Sequence, residues 1–163
     1  MSDAKGERSV AASAPALSLR RYAAADEDAV IELWRRTWQT AYPDIDFAER
    51  LPWWRARWRE EIVPAAAIVL ALAAGGDVIG FVTVDAQTCY LDQIVVAPEH
   101  WGSGAAATLL AEAKRLSPSG LDLDVNTDNR RAIRFYEKQG FSISGAGRNP
   151  LSGKPVHRMR WRP

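Results

Sequence analysis

Residues Val96 to Leu110 read VAPEHWGSGAAATLL: the end of an apolar run, a proline, two glycines, then alanines that open a helix-forming stretch. A turn of this kind at a helix N-terminus leaves backbone N–H groups unpaired, and the helix dipole adds to their pull on an anion. Gly102 and Gly104 permit a close approach that a Cβ would block. Three phosphate-binding readings, and a plain tight turn, compete for this stretch. The P-loop fails because no Gly-Lys-Ser/Thr follows. The dinucleotide fingerprint is met in form by GSGAAA, with Asp124 lying 20 residues past Gly104. Its position opposes it: the turn follows the fourth expected strand, Pro98 and four more residues separate Val96 from Gly102, and too little chain follows for a second mononucleotide half.

A second stretch, NRRAIRFYEKQGF (Asn129 to Phe141), puts Ala132, Phe135 and Tyr136 on one helix face, three and four residues apart, and closes on Gly140. Together the two stretches resemble the GNAT superfamily of N-acetyltransferases. Val96, Pro98, Gly104 and Ala106 match the acyl-CoA loop of that family, with Trp101 where Gln or Arg is usual. The second stretch matches the family's Asn-x-x-Ala-x-x-Phe-Tyr-x-x-x-Gly-Phe at every marked position.

The resemblance implies transfer of an acetyl group from acetyl-CoA, as cosubstrate, to a primary amine. It implies a mixed α+β fold, with a central sheet of about six to seven strands, helices on both faces, and a splay between the fourth and fifth strands. Ile94, Val95 and Val96 would bond the pantetheine arm as a neighbouring strand would. Trp101, Gly102, Ser103, Gly104, Ala105 and Ala106 would cradle the pyrophosphate, and Asn129, Ala132 and Tyr136 would line the cofactor near its pantetheine. Trp101 either covers the cofactor or packs beneath the loop. Tyr136 is the candidate general acid: a phenol of pKa about 10 is protonated at neutral pH and can supply the leaving thiolate with a proton. Asp92 and Asp124 are the candidate bases, acting directly or through a water, and each could equally be a solvated strand carboxylate. Glu99 reads as a turn residue, His100 as exposed, and His157 as a weak catalytic candidate. The alternative function is a non-catalytic acyl-CoA-binding sensor of the same fold.

These groups need elements to hold them. LSLRRY (17–22) alternates as a first strand; 26–42 carries Val30, Ile31, Trp34 and Trp38 at helical spacing and stops before Pro43. DFAERLPWWRARWREEIV (46–63) reads as a second helix, with Pro52 a new start or a kink. Aromatics there could clasp a planar or cationic acceptor, but Trp34, Trp38, Trp54 and Trp58 read more simply as core, with the arginines exposed and balanced by Glu49, Glu60 and Glu61. Strands are expected over 66–74, 77–86 and 89–97, with Gly75-Gly76 as a hairpin turn. A helix over 104–116, a strand over 121–126, a helix over 128–139 with Asp128 as N-cap, and strands over 141–147 and 156–162 complete the order.

The bulk composition fits this. A chain of 163 residues, 47% hydrophobic and 25% charged, makes an ordinary globular domain over 17–163, after a polar tail over 1–16 that is expected to be disordered. The net charge of +1 argues against nucleic acid as a partner, including through the Arg/Trp helix. No apolar run reaches membrane-spanning length, the start lacks the apolar core of a secretory signal, and a cytoplasmic location is expected. One cysteine, Cys89, excludes an internal disulfide and reads as a buried thiol; two histidines without ligand spacing give no metal signal. The amine acceptor, small molecule or peptide, is not specified by these motifs, and a homodimer is a family expectation only.

Overall fold

Gly75 and Gly76 close a hairpin between β2 (Ala67–Leu72) and β3 (Val78–Asp85), with Gly76 in the left-handed region at φ 91°. The computed structural model describes residues 17–163, so the expected tail lies outside the described residues. β1 (Ser18–Arg21) pairs antiparallel with β2, and β3 pairs antiparallel with β4 (Tyr90–Val96). β4 meets β5 (Leu121–Asn126) in parallel, and β5 is flanked by β7 (Pro155–Trp161), then by β6 (Ser142–Arg148) at the edge. The described residues thus form one seven-stranded sheet of order β1-β2-β3-β4-β5-β7-β6.

Alternation along the strands feeds a core on each face. Leu70, Phe81 and Val95 join α1 (Glu27–Ala41) and the tryptophan segment on one side. Val69, Val82 and Val96 join α4 (Ala105–Leu116) and α5 (Arg130–Lys138) on the other. The tryptophan segment is α2 (Leu51–Arg57), a π-helical turn (Trp58–Ile62) and a last helical turn, α3 (Val63–Ala65). It starts five residues later than its apolar pattern predicts. Pro52 sits in its first turn, where a missing N–H costs nothing. Asp46 folds the preceding residues into an Asx turn by accepting from the amides of Ala48 and Glu49. Cys89 is half-buried rather than buried, at the bend before β4 with φ 57°, its thiol 3.4 Å from the Ser119 hydroxyl.

The sheet opens where the sequence places the site. β4 and β5 share one registered pair, Tyr90 with Asp122, and the Asp122 amide donates to the Cys89 carbonyl at 2.7 Å. Beyond that pair the two strands diverge. The Asp122 carboxylate accepts from Arg160 at 2.8 Å and from Arg162, bracing β5 against β7 beside the point of divergence. Burial works against its ionisation, but the two guanidinium groups outweigh burial and hold its pKa below the usual carboxylate value. A folded pKa below the unfolded value of about 3.9 gives stability that is complete above that value and lost as pH falls through the folded one. The Tm of the wild-type protein should therefore fall on acidification below pH 4. Asp122→Asn should flatten that fall in a calorimetric pH series; a wild-type slope in the variant would contradict the bracing role.

Candidate active site

Backbone parity on β4 decides what faces the splay. The Ala97 amide donates to the Ile79 carbonyl, so Phe81–Val95 is a hydrogen-bonded antiparallel pair while Gly80–Val96 and Val82–Ile94 are not. The amides and carbonyls of Ile94 and Val96 point toward β5 and the gap, whereas those of Val95 are spent on β3. Of the three residues expected to bond a pantetheine arm, Val95 is thereby withdrawn: its outward backbone faces the wrong strand.

At the end of β4 the chain turns through Pro98–His100 into the glycine loop. Gly102 (φ 78°) and Gly104 (φ 89°) are both left-handed, and Gly104 caps α4. A Cβ at either would meet nothing of the protein within 4 Å, so backbone conformation is what requires glycine here. The amides of Trp101 and Ser103 are taken by the carbonyls of Pro98 and His100, and that of Ala105 reaches the Ser103 hydroxyl at 3.4 Å. Among the described residues, the amides of Gly102, Gly104, Ala106 and Ala107 have no acceptor. Four free donors at the start of a twelve-residue helix fit an anionic phosphate. Trp101 neither lies buried nor hangs free: its indole donates to the Val96 carbonyl at 2.8 Å, and the Arg131 guanidinium sits 4.6 Å from its ring. It pins the loop to β4, and Val96 is left with only its N–H for the gap.

Helix α5 crosses the gap from the other side. Asn129, not Asp128, is its N-cap: the Asn129 side-chain Oδ1 accepts from the Ala132 amide at 3.2 Å, while Asp128 turns away to Tyr42 and Lys154. Ala132 lines the cleft, and so does Tyr136, a residue only 7% exposed whose ring packs between Phe135 and Phe141. The Tyr136 hydroxyl has no partner among the described residues, and burial raises its pKa well above the usual phenol value.

The cleft has a volume of about 470 Å³ and brings Tyr136, Asp92 and Asp124 into one lining. The two carboxylates differ. Both oxygens of Asp92 are gripped by the Arg57 fork, at 2.5 and 2.8 Å, and Gln93 adds a third donor. Asp124 accepts one bond on each oxygen, from the Tyr90 hydroxyl at 3.1 Å and from Arg158 at 3.2 Å. Burial, reinforced by Asp124 and Asp92, raises the Tyr90 pKa, so this phenol remains a donor. Glu99 pairs with Arg36 at the surface, His100 is half-buried in the turn before the loop, and His157 sits on β7 opposite Val125.

Sequence reasoning missed Tyr90, Arg57 and Tyr42. Tyr90 stands two residues before Asp92 on one strand, a spacing that could have flagged it. Tyr42 accepts from Asn126 and donates to Asp128, tying the end of α1 to the end of β5 across 84 residues of sequence. The opposite wall is aromatic: Trp34 and Trp54 stack at 4.5 Å, both buried, while Trp38 is half-buried and Trp53 exposed. The buried indole N–H groups of Trp38 and Trp54 have no acceptor among the described residues.

A family model described as "Acetyltransferase (GNAT) family" matches residues 27–141. The chain belongs to the GNAT family of acetyltransferases. Peptidyl-lysine N-acetyltransferase YjaB of Salmonella typhimurium is 28% identical over 142 residues, 85% of this chain and 92% of that protein. L-amino acid N-acetyltransferase AaaT of Escherichia coli is 30% identical over 103 residues, 56% of this chain and 64% of that one. The crystal structure of PaiA N-acetyltransferase from Thermoplasma acidophilum, in complex with coenzyme A, superposes with a TM-score of 0.74 at 21% identity, covering 91% of this chain and 99% of that one. The seven-stranded sheet and the β4–β5 splay of this GNAT acetyltransferase are therefore features of a shared fold. No helix among the described residues is long and apolar enough to cross a membrane.

Proposed function

We propose that this acetyltransferase transfers the acetyl group of acetyl-CoA to a primary amine by direct attack in the cleft, with Tyr136 as the acid. The observation that carries the proposal is the hydroxyl of Tyr136, a buried residue, unpartnered among the described residues and lining the same cleft as Ile94, Asn129 and Asp124. Gly102, Gly104, Ala106 and Ala107 would hold the pyrophosphate, the outward backbone groups of Ile94 and the Val96 amide the pantetheine, and the Asn129 side-chain NH₂ and Ala132 its inner end. Acetyl-CoA supplies a thioester carbonyl.

Attack forms the N–C bond and breaks the C–S bond; the Tyr136 proton passes to the departing sulfur. The acceptor must arrive neutral, which costs roughly 4–5 kcal/mol for a lysine-type amine at pH 7 and only about 1 for an α-amine. Asp124, with lone pairs left beside its two bonds, is the carboxylate that takes the amine proton through a water. Asp92, held at both oxygens, serves to position Arg57.

Acetyl-CoA at 100 times its Kd should stabilise the native state by about 2.7 kcal/mol, a Tm rise of roughly 5–10 °C. Thiol release with an amine panel then reads turnover. A Tm shift without consumption of any amine would return the chain to the sensor reading.

A further inference from the structure

The two named relatives take acceptors of opposite character: one a lysine side chain in a protein, the other an amino acid with its own carboxylate. The charges lining this cleft discriminate between such acceptors. Four cations face it, Arg50, Arg57, Arg148 and Lys154, against two carboxylates, Asp92 and Asp124. Arg57 is matched by Asp92, Asp124 by Arg158 from β7, and Lys154 reaches Asp128 at 3.4 Å. Arg50 and Arg148 remain. The Arg50 guanidinium lies 5.1 Å from the Phe47 ring centre, and Arg148 donates to the Gly153 carbonyl; neither has a carboxylate partner among the described residues. They come from different elements, the start of α2 and the end of β6, and both line this cleft. An acceptor bearing a second ammonium would find both carboxylates occupied and two like charges uncompensated. An acceptor with a carboxylate beside its amine would supply what both arginines lack, in the bidentate geometry that guanidinium favours.

Part of the remaining wall is aromatic. Trp38, Phe47 and Trp53 give aromatic surface next to these cations, suited to a hydrophobic body rather than a second polar end. The volume of about 470 Å³, shared with the inner end of the cofactor, leaves room for a small molecule. Resting on the acetyltransferase reading above, we infer that the acceptor is a free α-amino acid with an apolar or aromatic side chain, its carboxylate held by Arg50 and Arg148.

The test uses the full chain with acetyl-CoA and matched acceptors: L-phenylalanine and L-leucine, their C-terminal amides, 2-phenylethylamine and spermidine. Loss of one charge-assisted bond is worth about ten- to a hundred-fold, so kcat/KM for each acid should exceed that for its amide by at least that range. In Arg50→Gln and Arg148→Gln the acid-to-amide ratio should fall toward one, while the acetyl-CoA thermal shift, reporting a folded protein and an intact donor site, persists. Equal use of acid and amide, a preference for spermidine, or an unchanged ratio in both variants overturns the assignment and leaves the acetyltransferase reading standing. Consumption of no amine at all, with the thermal shift retained, overturns both.

Discussion

Tyr136→Phe should lower kcat by about a hundred-fold or more, with the acetyl-CoA thermal shift unchanged. General acids contribute about 10²- to 10⁴-fold to rate, and this one has no visible substitute, since no other phenol lining the cleft is unpartnered: Tyr90 donates to Asp124 and Tyr42 to Asp128. The substitution is also clean. The ring keeps its packing against Phe135 and Phe141, and the lost hydroxyl leaves no protein group without a partner. The sign of the pH dependence follows from burial. The Tyr136 pKa is raised, so the residue stays protonated through the neutral range and well past it. The wild-type rate should therefore show no alkaline decline from this group below pH 9. A kcat within threefold of wild type in the variant would remove Tyr136 from the reaction.

What the sequence made legible depended on distance along the chain. The glycine turn and the Asn129–Phe141 helix are local patterns, each self-contained, and the element order followed from periodicity and turn residues. The side on which a backbone group points is not local: Val95 and Ile94 are equal in type, and only pairing with β3 sends the first inward to Phe81 and the second to the gap. The same applies to Asp92, a plausible base until Arg57, 35 residues earlier, is brought onto both its oxygens from the end of α2. The choice between Asp128 and Asn129 as helix cap differs by one residue, and both types cap well; reach to the Ala132 amide decided it. Trp101 broke the family pattern, standing where Gln or Arg is usual. Its indole instead fastens the loop to Val96 and holds Arg131 above it, a contact between helix and loop that no spacing rule reveals.

Gly104→Ala should separate the cost of strain from the cost of lost binding. The added methyl meets nothing of the protein within 4 Å, so the free enzyme bears only the left-handed conformation at φ 89°, about 1–2 kcal/mol and a Tm loss of roughly 2–8 °C. Gly76→Ala supplies the control: the same conformation at φ 91°, the same open surroundings, but in the β2–β3 hairpin rather than in the loop. Both variants should lose similar stability. Only Gly104→Ala should raise the KM for acetyl-CoA, by about ten-fold or more, if its methyl crowds a phosphate held by the amides of Gly102, Gly104 and Ala106 as proposed. With saturating acetyl-CoA its kcat should stay near wild type, since Tyr136 and the acceptor wall belong to other elements. If instead both variants raised KM equally, the effect would be general loosening of the fold; if neither did, the free amides at the start of α4 would not be the donor's phosphate site.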